Sequence, residues 1–244
     1  MTHTVPLDNV IHKDLRVVTR HGAEFADNIN QVLLFPTEFG DAHREYPIFF
    51  RRDAEGHFQS VALLGLDRDE NLFLDEAGWQ ARYIPAVQAR GPFLIGMQEH
   101  EIDGETRREA MIHVDMEHPR IVPDGEEGEP VFLPHGGNSP YLEHISHILR
   151  LIHDGVEIAQ PMFEAFEAAG ILEPVAVEAA LSDEEHYKIP GLFTVSEERL
   201  ARLDGAALEQ LNTGGFLGAA FLVAASMGNV NRLIELKKRK RQAG

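Results

Sequence analysis

Between residues 15 and 120 the apolar positions fall in short runs or alternate with polar ones. Examples are "LRVV", "QVLLF", "YPIFFRR", "FQSVALLGL", "NLFL", "ARYIPAV", "PFLIGM" and "AMIHVDM". Period-two alternation marks half-buried strands, and turn-rich pieces such as "DAEGH", "DRDE" and "EIDGE" separate the runs. The pattern predicts an antiparallel sheet or small barrel. "PTEFGDAHREYP" (36–47) interrupts it, and its leading proline and early acids predict a short helix between strands.

After the Gly-, Pro- and acid-rich segment 122–140, the period changes to that of helices. "SPYLEHISHILRLIHDG" offers Ser139 as N-cap, Leu142, Ile145, Leu149 and Ile152 on one face, and a glycine stop. "QPMFEAFEAAG" predicts a second helix with proline near its start. "EPVAVEAALSDEEHYKIPGLFTV" predicts a hairpin over about 174–195, turning around Ser182–Glu185. "SEERLARL" and "DGAALEQLNTGG" predict short helices, and a last helix is expected over about 215–238, ending in "KKRKR" (237–241). Strands first and helices second predict an α+β protein rather than alternating βαβ. The expected organisation is a β-rich half (1–121), a connection (122–140) and a helical half with the hairpin (141–244), packed as one compact unit.

Composition narrows the function classes. The 244 residues suffice for a real core, and the net charge of −18 disfavours nucleic acid and anionic lipid as partners. There are no cysteines, which removes disulfides, thiolate metal sites and cysteine nucleophiles. The N-terminus shows no secretory pattern, and the apolar stretch 216–226 is too short to span a bilayer. A cytoplasmic protein without membrane insertion is expected.

The strings "FPTEFGDAHREYPIFF" and "NLFLDEAGWQARYIPAVQARGPFLIG" resemble the SapC family of bacterial proteins. "GILEPVAVEA", "IPGLFTVSEERLARLDGAALEQL" and "GGFLGAAFLVAASMGNVNRL" extend the resemblance over roughly 30–235. The family's name comes from an association with paracrystalline surface layers. Its members tend to occur beside TonB-dependent receptors, flavin-dependent halogenase-like proteins and cupin-type oxygenases. The resemblance therefore implies a role accessory to uptake or modification of a peptide or glycan.

Two sets of residues carry candidate chemistry. Arg44, Tyr46, Trp79 and Tyr83 sit beside prolines in the segments bearing the resemblance; aromatic faces with an arginine suit a peptide- or sugar-binding cleft. Against this stands the plainer role of core anchors. "HVD" places His113 and Asp115 on one side of a strand, as in the facial triad of Fe(II)/2-oxoglutarate oxygenases, with His135 or His144 as third ligand. The plainer reading is a strand with a solvated polar face, so no metal is expected. His144, His147 and His153 read as a helix's polar face, and "KKRKR" as a solvated or docking tail. The resulting expectation is a non-enzymatic SapC-like protein without cofactor that binds a peptide, glycan or protein partner, with self-association open. The alternatives are an Fe(II)/2-oxoglutarate oxygenase and a surface-layer structural component.

Overall fold

The computed structural model describes residues 3–102, 105–122, 127–181 and 185–243. In chain order its first part comprises β1 (Thr4–Pro6), β2 (Arg16–Val17), β3 (Gln31–Leu34), α1 (Phe39–Ala42), β4 (Ile48–Arg52), β5 (Phe58–Leu63), β6 (Leu74–Asp75), β7 (Gly78–Trp79) and α2 (Ala86–Ala89). Then come β8 (Phe93–Ile102), β9 (Glu105–Asp115), β10 (Ile121–Val122), β11 (Glu129–Pro130) and α3 (Pro140–Ala168). The hairpin β12 (Leu172–Ala180) and β13 (His186–Val195) precedes α4 (Glu197–Ala201), α5 (Gly205–Thr213), α6 (Leu217–Ser226) and α7 (Asn229–Ala243).

The strands form open antiparallel sheets, with no closed barrel among the described residues. The largest has the order β12-β13-β4-β5-β3, so the late hairpin completes a sheet begun by the first half, meeting it at Phe193–Phe50. A second sheet has the order β1-β9-β8, leaving β8 as one edge just as β3 is an edge of the first. The hairpin is thus a structural strand pair, and its turn residues 182–184 lie outside the described ones.

Two apolar cores result, and each draws on both halves of the chain. One joins Phe49, Phe50 and Val61 of β4 and β5 to Met162, Phe163 and Phe166 of α3 and to Leu233 of α7. The other joins Leu15, Phe93 and Val114 to Leu142, Ile145 and Leu149. Helix α3 spans both, and it corrects the expectation of two helices: its 29 residues run without a stop through Gly155 and Pro161. Ser139 does cap it, accepting the Leu142 N–H at 3.2 Å. Gly155 is buried at the closest approach of α3 to the segment before α1. A Cβ there would fall 2.4 Å from the Cβ of Phe35 and 2.7 Å from Oγ1 of Thr37, whose hydroxyl donates to the Leu151 carbonyl at 2.9 Å. That glycine is a packing residue, and apolar burial on either side carries the helix past it. Gly155→Ala is expected to destabilise by about 1–3 kcal/mol despite alanine's higher helix propensity. Thermal melting checks it, and a rise in Tm would show that the contact is looser than drawn.

Other expectations also change. "ARYIPAV" is an irregular segment leading into α2, whose Ala86 N–H is taken by the buried Glu38 carboxylate at 2.7 Å. The last helix is two, broken at Met227–Gly228, where Asn229 donates to the His43 and Tyr46 carbonyls at 2.7 and 3.1 Å. By length and composition the run Leu217–Gln242 is apolar enough to cross a membrane; here it packs Ala220, Val223 and Leu233 into the core. Nor is "KKRKR" wholly a solvated tail. Lys237 is buried, bonded to Asp67 at 2.5 Å and Glu70 at 2.8 Å, and Lys240 lies 3.5 Å from Glu70.

Candidate functional site

The two open sheet edges and the middle of α3 border a cleft of about 800 Å³. Leu33 of β3 and Phe35 lie on one side, and Leu94, Ile95 and Met97 of β8 on the other. Leu149, Ile152 and Val156 of α3 complete the walls. Neighbouring residues on a strand point to opposite faces. That both Leu94 and Ile95 line the cleft therefore places it along the edge of β8 rather than over one face.

The backbone at this edge follows from the register. Asp115 N–H donates to the Pro92 carbonyl at 2.9 Å, while Leu7 N–H, on the far side of β9, takes the Ile112 carbonyl at 2.8 Å. Antiparallel alternation then turns Leu94 and Gly96 toward β9 and turns Phe93, Ile95 and Met97 outward. The Phe93 carbonyl is capped by the Arg90 guanidinium at 2.6 Å. Among the described residues no hydrogen bond reaches the outward N–H and C=O groups of Ile95 and Met97. The rim is apolar and open, with Met97 60% and Val156 56% exposed.

One end of the cleft is polar. Arg120, 3% exposed, donates to Asp27 at 2.7 Å and to the Val18 carbonyl at 3.1 Å, and also bonds the Arg20 carbonyl. Asp27 accepts the Gly22 N–H at 3.0 Å and lies 3.0 Å from His21. Burial pushes its carboxyl up, but His21, the Gly22 amide and Arg120 together outweigh this and hold it below the usual range. Arg90 also lines this end, and burial lowers its pKa. His118 accepts the Arg120 N–H on Nδ1 at 3.2 Å, so its ring proton sits on Nε2. Burial first and the Arg120 charge second push His118 down, keeping it neutral near pH 7.

The aromatic set foreseen from the sequence is brought together, though not in this cleft. Tyr46 is fully buried; its hydroxyl accepts Trp79 Nε1–H at 2.8 Å and bonds the Tyr83 carbonyl. Tyr83 donates to Glu38 at 2.7 Å, and Glu38 also accepts the Phe35 N–H at 2.8 Å. Burial raises the pKa of both tyrosines, and for Tyr83 the Glu38 charge adds to it. Trp79 meets His21 edge-on at 5.5 Å, and His21 meets Asp27. The set thus runs behind the cleft's polar end and braces it, while Arg44 stands exposed.

Of the "HVD" residues, Asp115 lines the cleft and His113 does not. The His113 ring lies over Gly96, where a Cβ would fall 2.6 Å from Nε2, and that nitrogen is buried without a hydrogen-bond partner among the described residues. His135 is exposed on a loop, and His144 lines a separate pocket of about 230 Å³ that shares Gln88, Gly91 and Arg120 with the cleft. Among the described residues no three His, Asp or Glu side chains are placed to hold one metal ion. Sequence reasoning missed Asp27, Arg90, His118 and Arg120. The only signal for the last two was that "EHPR" continues the acid- and histidine-rich stretch.

The structure is a mixed α+β arrangement of open antiparallel sheets and helices, with the cleft lying along two sheet edges. The chain belongs to the SapC family, whose model matches residues 7–233 of its 244. No curated protein and no solved structure matches it.

Proposed function

We propose that this SapC-family protein is a non-catalytic binding protein that takes an extended peptide segment along the edge of β8. The observation that carries the reading is the cleft beside a strand whose Ile95 and Met97 backbone groups face it unbonded among the described residues. A sheet edge of this kind accepts one more strand, with main-chain bonds supplying affinity and flanking pockets selecting side chains. The aliphatic walls suit apolar residues, whereas a glycan would want polar partners for its hydroxyls. A protein partner presenting a strand uses the same chemistry. Such binding needs no cofactor, and a net charge of −18 turns nucleic acid away. A cytoplasmic role accessory to peptide uptake or modification belongs to the same proposal.

The test is Met97→Pro. Proline removes an outward N–H while leaving the β8–β9 bonds in place, since residue 97 faces away from β9. Fluorescein-labelled octapeptide pools, apolar at alternate positions, are expected to bind the wild-type chain. The variant, melting within about 2 °C of it, is expected to bind roughly tenfold more weakly, the equivalent of one lost hydrogen bond. Equal binding by both proteins, or none by either at about 1 mM peptide, overturns the reading.

A further inference from the structure

Resting on the strand-addition reading, one more property can be assigned to the cleft: the kind of peptide end it holds. We propose that the polar end reads a free C-terminal carboxylate, gripped by Arg90 with His118 as second donor, so that the bound peptide runs antiparallel to β8.

The argument begins with donors. A guanidinium carries five N–H groups, and the bond to the Phe93 carbonyl accounts for one of them. No carboxylate lies within ion-pair distance of Arg90 among the described residues, although burial already disfavours its charge. A partly desolvated arginine with no carboxylate in ion-pair reach is matched by a ligand that brings one, and its planar fork suits a carboxylate. His118 lines the same end and carries its proton on Nε2, because Nδ1 is occupied by the Arg120 amide. Arg120 itself is committed to Asp27, and the two charges offset each other. Asp115 is the opposing charge, and its Oδ1 already accepts the Glu117 N–H at 3.1 Å.

Direction follows from position. Arg90 stands just before β8, and Met97 lies further along the strand. The polar end is therefore at the start of β8 and the apolar rim at its middle. A peptide whose last residue meets Arg90 must extend back toward Met97, opposite in sense to β8. Its penultimate residues then meet the Ile95 and Met97 backbone, and its apolar side chains meet Leu94, Ile152 and Val156. Capture of a C-terminal carboxylate is a recurrent way to fix register in peptide recognition.

The same octapeptide pools, made as free acids and as C-terminal amides, test the inference by fluorescence polarisation. The wild-type chain is expected to favour the acids by roughly tenfold to a hundredfold, as for hydrogen bonds to a charged group. Arg90→Gln keeps a side-chain donor for the Phe93 carbonyl but loses the charge. It is expected to bind acids as weakly as amides, with the melting curve preserved. Arg90→Lys is expected to fall between the two. Equal wild-type affinity for acids and amides overturns the carboxylate inference while leaving strand addition standing; failure of both pools overturns strand addition itself. Dodecanoate separates a fatty carboxylate from a peptide. If it displaces the acids and Met97→Pro binds it undiminished, the occupant is a lipid and the peptide assignment falls.

Discussion

Asp27→Ala is expected to lower stability by about 3–5 kcal/mol, because it strands a buried guanidinium. Arg120 and Asp27 are 3% and 2% exposed and joined at 2.7 Å, so removal of the acid leaves a desolvated charge that the Val18 and Arg20 carbonyls only partly compensate. For a chain of this length the loss corresponds to a fall in Tm of roughly 6–20 °C. The linkage has a definite sign. The folded carboxyl titrates below its unfolded value, so its contribution is present above the ordinary aspartate range and is lost as pH falls through the folded pKa. Thermal melts from pH 7 to pH 3 should show the wild-type chain losing stability on the acid side and Asp27→Ala losing less. A loss under about 1 kcal/mol at pH 7 would mean that the Arg120 carbonyl contacts suffice alone.

Glu38→Ala is expected to cost a similar amount for a different reason. Glu38 is 1% exposed and accepts from Phe35 N–H, Tyr83 O–H and Ala86 N–H, so alanine leaves three donors without an acceptor at about 1–3 kcal/mol each before relaxation. The pH sign is opposite to that of Asp27. Burial raises the Glu38 pKa above its usual value, outweighing the three hydrogen bonds that lower it. Its contribution is therefore fully present below the unfolded glutamate value and is lost as pH rises through the raised folded pKa. Glu38→Gln keeps one carbonyl for Tyr83 and Ala86 but turns an amine toward Phe35. It is expected to cost only about 1–2 kcal/mol and to lack that pH dependence. Chemical denaturation of the three proteins at pH 4 and pH 7 separates the effects; a Glu38→Gln chain as unstable as Glu38→Ala would show that charge, not bond count, matters here.

Both carboxylates bear on the cleft. Glu38 fixes the start of α2, which leads directly to Arg90, and Asp27 fixes Arg120 beside His118. Neither stands out in the sequence, where they are two among 40 acids. What marks them is burial with several convergent donors, a tertiary property. The same applies to Arg120, whose partners lie about a hundred residues earlier in the chain.

Tyr46, Trp79 and Tyr83 were legible as a group because aromatic residues next to prolines in apolar segments must pack somewhere. Their hydroxyls and indole found partners in one another and in Glu38, so the group became a brace behind the cleft. His113 and Asp115 were legible as one side of a strand, and β9 bears them as expected. What the alternation could not tell was that Gly96 of the neighbouring strand leaves room for the imidazole, while Asp115 opens onto a cleft.

By itself the sequence determined the α+β class, most of the strand runs, the N-cap at Ser139 and the family, because these rest on local periodicity, capping chemistry and ordered motifs. Only the tertiary structure decided that Gly155 and Pro161 lie within one helix, that the late hairpin joins the first sheet, and that β3 and β8 are edges. Those outcomes depend on pairings between segments far apart in the chain, and on what stands beside a strand rather than within it. The cleft is of that second kind. It exists because two sheets stop where they do, and no window of residues records where a neighbour is missing.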